Sequence, residues 1–208
     1  MEPVLYLVRH GRTTANSEDV FRGVGTGSHD FPLSKDGIGD ALQARNFLKE
    51  KQIDPLFLVS SDRKRARQTA HIVAEDFPDD IITSPKLRAW DIGDFTGEPR
   101  SKENLEELQK YIDNPYLEVP GGESLDVFKS RVLPTIHECF EYACQTGIGF
   151  IICHSSVIHE LGRAIHDDHN SLIVEPGGVV LLGFEDGKPT AKPVFKRIKP
   201  APNAESIS

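Results

Sequence analysis

A chain of 208 residues with 38% hydrophobic and 27% charged side chains has the size and balance of one globular domain with a substantial core. Its formal net charge of −8 opposes bulk attraction to nucleic acid or an anionic membrane, leaving room only for a local basic pocket. No apolar run reaches the roughly 18 residues of a membrane-spanning helix, and the first apolar stretch is too short and lacks a basic leader for a signal peptide. A cytoplasmic location is therefore expected. Cys139, Cys144 and Cys153 are an odd set, expected as buried free thiols in a reducing compartment.

The first element is Val4-Leu5-Tyr6-Leu7-Val8, five apolar residues that read as a strand buried on both faces. Arg9, His10 and Gly11 follow where that strand must stop, and in open α/β sheets ligands bind beyond such carboxyl ends. Residues 17–34 read as a long loop. Its Gly23-Val24-Gly25-Thr26-Gly27 run has no strand before it and no helix after it, so a dinucleotide site is rejected. Ser34 caps a helix whose inner face is predicted from Ile38, Ala41, Leu42, Arg45 and Leu48.

Leu56 to Val59 is a second buried strand, and Ser60-Ser61-Asp62 opens a helix predicted to run to about Phe77. Ile81 to Thr83 is a short strand closed by Pro85, and residues 87–97 form a loop. An amphipathic helix is predicted over 101–113, and a second over 124–142 with a kink at Pro134. Ile148 to Cys153 is a third apolar strand ending at His154, followed by a helix over 156–165. Residues 178–184 and 191–195 pair as a hairpin around Asp186-Gly187, and the Pro-containing polar tail 200–208 is expected to be disordered. Strands alternating with helices predict a three-layer α/β/α sandwich with a mostly parallel sheet, one domain over 1–199.

Three strand ends in such a sheet bring Arg9-His10, Ser60-Ser61 and His154 to one edge. Four cations crowd residues 63–67 at the start of the second helix. For Lys64 and Arg67 a solvated face is the preferred reading. For Arg65, beside a helix N-terminus, an anion site is preferred. His159, His166 and His169 with Asp167 and Asp168 lack any zinc-enzyme spacing and read as a solvated turn; no metal is expected.

Arg9-His10-Gly11, Ser60-Ser61 with Arg65-Ala66 and Thr69-Ala70, the strand ending at His154, Pro32-Leu33-Ser34 with Gly37, and Pro120-Gly121-Gly122-Glu123-Ser124 together resemble the histidine phosphatase superfamily, also called phosphoglycerate-mutase-like. The resemblance runs from Val4 to Phe184 with the motifs in the family's order. It implies that His10 is phosphorylated while Arg9, Arg65 and His154 bind the transferred phosphoryl group, and that Asn16 lines the same pocket. The chemistry suits these residue types. A neutral imidazole is not repelled by a phosphate dianion, and cations can surround the charge on the three equatorial oxygens of a loose transition state without a cofactor.

One departure stands out. Ala89 occupies the position where many members carry a general-acid Glu, and an Ala cannot protonate a leaving oxygen. Asp91 is the first candidate to replace it and Glu123 the second; for Asp91 a loop carboxylate bonding nearby amides weighs equally. Loss of a general acid costs about 10²–10⁴-fold, enough to restrict substrates without abolishing turnover. Arg12 and Arg22 are candidate contacts for a second anionic group. Ser155, where the family often has Gly, is a further candidate for substrate binding. The leading expectation is a metal-independent phosphomonoesterase acting on a small phosphorylated substrate. A phosphotransferring mutase and a catalytically weak phospho-ligand-binding module are the alternatives.

Overall fold

The computed structural model describes residues 4–14, 19–24, 30–75, 81–166, 172–186 and 188–196. Asn16, the glycines at 25 and 27, the helix end at Phe77, His169 with Asp167 and Asp168, Gly187 and the tail lie outside them. Six strands and five α-helices follow in the order β1 (Val4–Arg9), α1 (Lys35–Glu50), β2 (Phe57–Ser61), α2 (Lys64–Val73), β3 (Ile82–Ser84), α3 (Lys102–Asp113), α4 (Leu125–Thr146), β4 (Ile148–Cys153), α5 (Ser155–His166), β5 (Val179–Glu185) and β6 (Lys188–Phe195). The sheet order is β3-β2-β4-β1-β5-β6, with the first four strands parallel and the closing β5–β6 hairpin antiparallel. The expected mostly parallel α/β architecture is what forms.

Strand alternation builds the three layers. Leu5, Leu7, Val59, Ile151, Val180 and Leu182 face one way, against Phe128, Val132 and Ile136 of α4 and Val157, Ile158 and Leu161 of α5. Tyr6, Val8, Leu58, Phe150, Ile152 and Val179 face the other way, against Ala44 and Leu48 of α1 and Ala66, Ala70 and Val73 of α2. Each fully buried aliphatic side chain contributes about 1.5–3 kcal/mol, so the central strands β1 and β4 carry much of the fold's stability.

Helix α1 corrects its predicted face. Ile38 and Leu42 are exposed, and the inward positions are Gly37, Asp40, Ala41, Ala44 and Leu48. The reason is close approach: a Cβ on Gly37 would lie 1.8 Å from the Arg12 carbonyl oxygen, and one on Gly11 would lie 2.2 Å from the Gly37 oxygen. Only small residues let α1 sit this near the loop after β1. Ser34 does cap α1, accepting from the Gly37 N–H at 3.0 Å. Pro134 lies inside α4, which continues as one helix to Thr146. All three cysteines are free, but only Cys153 is buried; Cys139 is half-buried and Cys144 exposed.

Candidate active site

Register alone brings the two histidines together. Arg9 of β1 pairs with Cys153 of β4, so the next residue on each strand, His10 and His154, leaves the sheet at the same level. Their rings meet edge to face with centroids 5.0 Å apart, and both side chains are buried. On the other flank of β4, Ser60 pairs with Ile152, which carries Ser61 beside His154; Ser61 Oγ and His154 Nε2 are hydrogen-bonded at 2.8 Å. The Nδ1 atom of His154 is buried and has no hydrogen-bond partner among the described residues.

Two contacts fix the His10 tautomer. Nδ1 lies 2.7 Å from the Gly11 carbonyl oxygen, which can only accept, so Nδ1 carries the proton. On the other ring nitrogen, Arg65 Nε–H donates to His10 Nε2 at 3.2 Å, which requires a lone pair there. A carbonyl holding the far nitrogen protonated is what nucleophilic use of this imidazole demands. Thr69 braces the turn. Its Oγ1 accepts from the Gly11 N–H at 3.2 Å and donates to the Arg65 carbonyl at 2.8 Å, tying α2 to the loop after β1.

Arg65 sits buried in the first turn of α2, with Nη2 donating to the Gly23 and Val24 carbonyls at 3.3 and 3.4 Å. Burial lowers its pKa to about 10, still far above neutrality, so the guanidinium stays charged. Arg9 Nη1 donates to the Val174 carbonyl at 2.6 Å. With Arg22 and Arg100 these arginines line a pocket of about 230 Å³ that also contains His10, His154, Ser155, Ala89 and Trp90. Trp90 serves both wall and core, being 8% exposed and part of the main apolar cluster. A larger hollow of about 1130 Å³ lies beside the edge strand β3, away from both buried histidines, and its lining mixes Leu56, Phe57 and Ile82 with Arg67, Glu75 and Glu138.

Three sequence-derived candidates are not brought to this pocket. Arg12 turns to α1, where Nε and Nη2 donate to the two oxygens of buried Asp40 at 2.9 and 3.0 Å and Nη1 reaches Asp36. Asp91 Oδ1 accepts from the Gly93 N–H at 3.1 Å, the amide-bonding alternative. Glu123 accepts from the Asp91 N–H at 3.0 Å and receives Arg131 on both oxygens. The physical reason is local: each carboxylate finds donors closer than the pocket, and satisfying them holds the 87–97 loop in place. Ser155 and Arg22 do line the pocket, and Asn16 lies outside the described residues.

Sequence reasoning missed Arg131. From the middle of α4 its guanidinium donates to the carbonyls of Lys86, Arg88 and Ala89 at 2.7–2.9 Å as well as to Glu123. It thereby fixes the backbone on either side of Ala89. One cation in an amphipathic helix gives no sign of such a role in sequence. Ser61 was legible as a strand-end residue on the same sheet edge as the two histidines, but not as the hydrogen-bond partner of His154 Nε2.

Burial pushes both His10 and His154 well below the ordinary imidazole value of 6.5, and the nearby Arg65 guanidinium pushes them further. In the unfolded chain each binds a proton as pH falls through 6.5, whereas in the fold neither does until a lower pH. Below about 6.5 the unfolded state therefore binds more protons and stability falls with pH until the folded pKa values are passed. Melting temperature followed from pH 8 down to about pH 5 is expected to drop below about 6.5. The drop should be shallower in His154→Gln; equal acid slopes in the two proteins would contradict this account.

Two buried imidazoles and four guanidiniums at the carboxyl edge of a parallel sheet define an α/β protein with a built site for an anionic group. The family model described as Histidine phosphatase superfamily (branch 1) matches residues 5–196, and the chain belongs to that superfamily. It is 34% identical over 159 residues to fructose-2,6-bisphosphatase TIGAR of Xenopus laevis, covering 74% of this chain and 52% of that one. It is 32% identical over 141 residues to the 2,3-bisphosphoglycerate-dependent phosphoglycerate mutase of Parvibaculum lavamentivorans, covering 64% and 65%. The chain thus spans about half to two thirds of the length of these relatives. Among solved structures it is similar to the phosphoglycerate mutase of Bacillus anthracis, with a TM-score of 0.75, 25% identity and 92% of each chain covered.

Proposed function

We propose that this chain is a phosphatase in which His10 takes a terminal phosphoryl group and passes it to water. The observation that carries the reading is the His10 tautomer: Nδ1–H is committed to the Gly11 carbonyl, and Nε2 offers its lone pair toward Arg65. A phosphate oxygen entering beside Nε2 replaces that imidazole as the Arg65 Nε–H acceptor. Nε2 attacks phosphorus, the bond to the leaving oxygen breaks, and the positive charge on the ring is stabilised by the Gly11 carbonyl. Arg9, Arg65 and His154 Nδ1 face the equatorial oxygens, where charge sits in the loose transition state. Water then attacks phosphorus, the P–N electron pair returns to Nε2, and the water's hydrogens leave with inorganic phosphate.

The substrate in this reading is a small phosphorylated molecule. The phosphatase name of the Xenopus relative and the pocket of about 230 Å³ both support that size class. Among the described residues no helix is long and apolar enough to cross a membrane. Three free thiols suit a reducing cytoplasm. Brief exposure to a ³²P-labelled phosphodonor, followed by denaturation, is expected to leave acid-labile label on the protein and none on His10→Ala. Multiple turnovers of free phosphate without an isomerised product distinguish a phosphatase from a mutase.

Arg65→Ala is expected to lower kcat/KM by about 10²–10³-fold, the usual cost of losing one donor to transition-state charge. Arg65→Lys should recover little. A lysine ammonium cannot hold the Gly23 and Val24 carbonyls while also presenting a planar N–H to the phosphate. Steady-state kinetics on one aryl phosphate checks both variants.

A further inference from the structure

The pocket's charge is one-sided. Arg9, Arg22, Arg65 and Arg100 line it, while among the described residues no carboxyl group does. Three carboxylates near the pocket are engaged elsewhere: Asp91 by the Gly93 amide, Glu123 by Arg131 and the Asp91 amide, and Asp19 by Arg100. Where a wall residue could have carried an acid there is Ala89, 8% exposed, its carbonyl fastened by Arg131 at 2.7 Å. His154 is no substitute, because its burial beside Arg65 favours the neutral ring. Among the described residues the site therefore holds the proposed nucleophile and four guanidiniums, and no group fitted to protonate a departing oxygen.

That arrangement selects leaving groups. An alkyl ester must expel an alkoxide, the conjugate of a hydroxyl about as weakly acidic as water. A phosphate leaving group belongs to an acid whose second pKa is about 6, so it departs without a proton. A leaving group that is itself a phosphate also suits a pocket lined by Arg9, Arg22, Arg65 and Arg100, because it carries its own negative charge to those guanidiniums. Arg100 is placed to hold it at the rim, its guanidinium stacked 5.0 Å over the Phe21 ring and 3.7 Å from Asp19.

We infer that the preferred substrate is a phosphoric anhydride, a molecule whose terminal phosphoryl group is joined to a second phosphate, rather than an alkyl phosphate monoester. The inference rests on the phosphohistidine reading and narrows its phosphoryl donor. His10 Nε2 forms the bond to the terminal phosphorus, and the P–O bond to the bridging oxygen breaks. The electron pair stays on that oxygen, which leaves unprotonated as a phosphate anion held by Arg22 and Arg100. Water completes the turnover as above.

The test measures phosphate release by the unmodified chain from four probes: methyl diphosphate, acetyl phosphate, p-nitrophenyl phosphate and glycerol phosphate. Methyl diphosphate is expected to exceed glycerol phosphate in kcat/KM by about 10²–10⁴-fold, the range general acid catalysis would otherwise supply. Ala89→Glu is expected to narrow that gap at least tenfold by raising glycerol phosphate turnover, and Arg100→Gln to raise KM for methyl diphosphate more than for p-nitrophenyl phosphate. Equal rates on glycerol phosphate and methyl diphosphate, both abolished in His10→Ala, would overturn the anhydride inference and leave the phosphohistidine reading standing. Acetyl phosphate turnover with no methyl diphosphate turnover would overturn it too, since the second phosphate would then have no place. Hydrolysis of every probe that survives His10→Ala, with circular dichroism showing that variant folded, would overturn the underlying reading and the inference together.

Discussion

Replacing His10 with alanine is expected to reduce phosphate release from an aryl phosphate by about 10⁴-fold or more. At 1.36 kcal/mol per decade that is a loss of about 5.4 kcal/mol in transition-state stabilisation. The size follows from what the ring supplies. It is buried and neutral, its far nitrogen is held by the Gly11 carbonyl, and its near nitrogen faces Arg65 within hydrogen-bonding distance. Alanine leaves the cations able to bind a phosphate but with nothing to attack it, so KM should change far less than kcat. His10→Gln keeps a polar group of similar reach and should be as inactive, because an amide nitrogen offers no basic lone pair. Single-turnover kinetics on the two variants decides the matter: residual phosphoryl transfer within tenfold of the unmodified chain would refute the assignment.

Arg12→Met is expected to cost about 3–5 kcal/mol of stability, the range for breaking a buried ion pair by removing one partner. Asp40 is 1% exposed and receives Arg12 on both oxygens, together with the Arg12 backbone N–H at 3.0 Å. Methionine removes both guanidinium donors from that buried carboxylate. At about 2–4 °C per kcal/mol for a chain of this size, the melting temperature should fall by on the order of 10 °C. The kcat/KM measured below both melting transitions should stay close to that of the unmodified chain, because the side chain points to α1 and not to the pocket. A stable variant with a raised KM would instead restore Arg12 as a substrate contact. Adding Asp40→Asn to Arg12→Met should recover part of the lost stability, since a buried amide costs less than a buried charge.

The element order was legible because it depends on local pattern. The apolar runs at Val4–Val8 and Ile148–Cys153 and the cap at Ser34 are each written within a few residues. The inner face of α1 was not legible from hydropathy, since Ile38 and Leu42 are more apolar than the Gly37 and Asp40 that face inward. What decides that face is how near the loop after β1 must come, a distance between segments 24 and more residues apart in the chain. Arg131 escaped notice for the same reason, as the three carbonyls that it holds lie 42–45 residues away.

The sequence by itself determined the sheet's central strands and the places of Arg9-His10-Gly11 and His154 at their ends, because an apolar run that stops at a polar residue announces both facts in one short stretch. Tertiary structure alone decided what surrounds them. Parallel register set His10 against His154, α2 delivered Arg65 to Nε2, and local donors drew Asp91 and Glu123 away from the pocket. The physical reason is one of range: backbone periodicity is fixed by neighbours, whereas the partner of a charged side chain is whichever opposite charge or dipole the folded chain brings nearest.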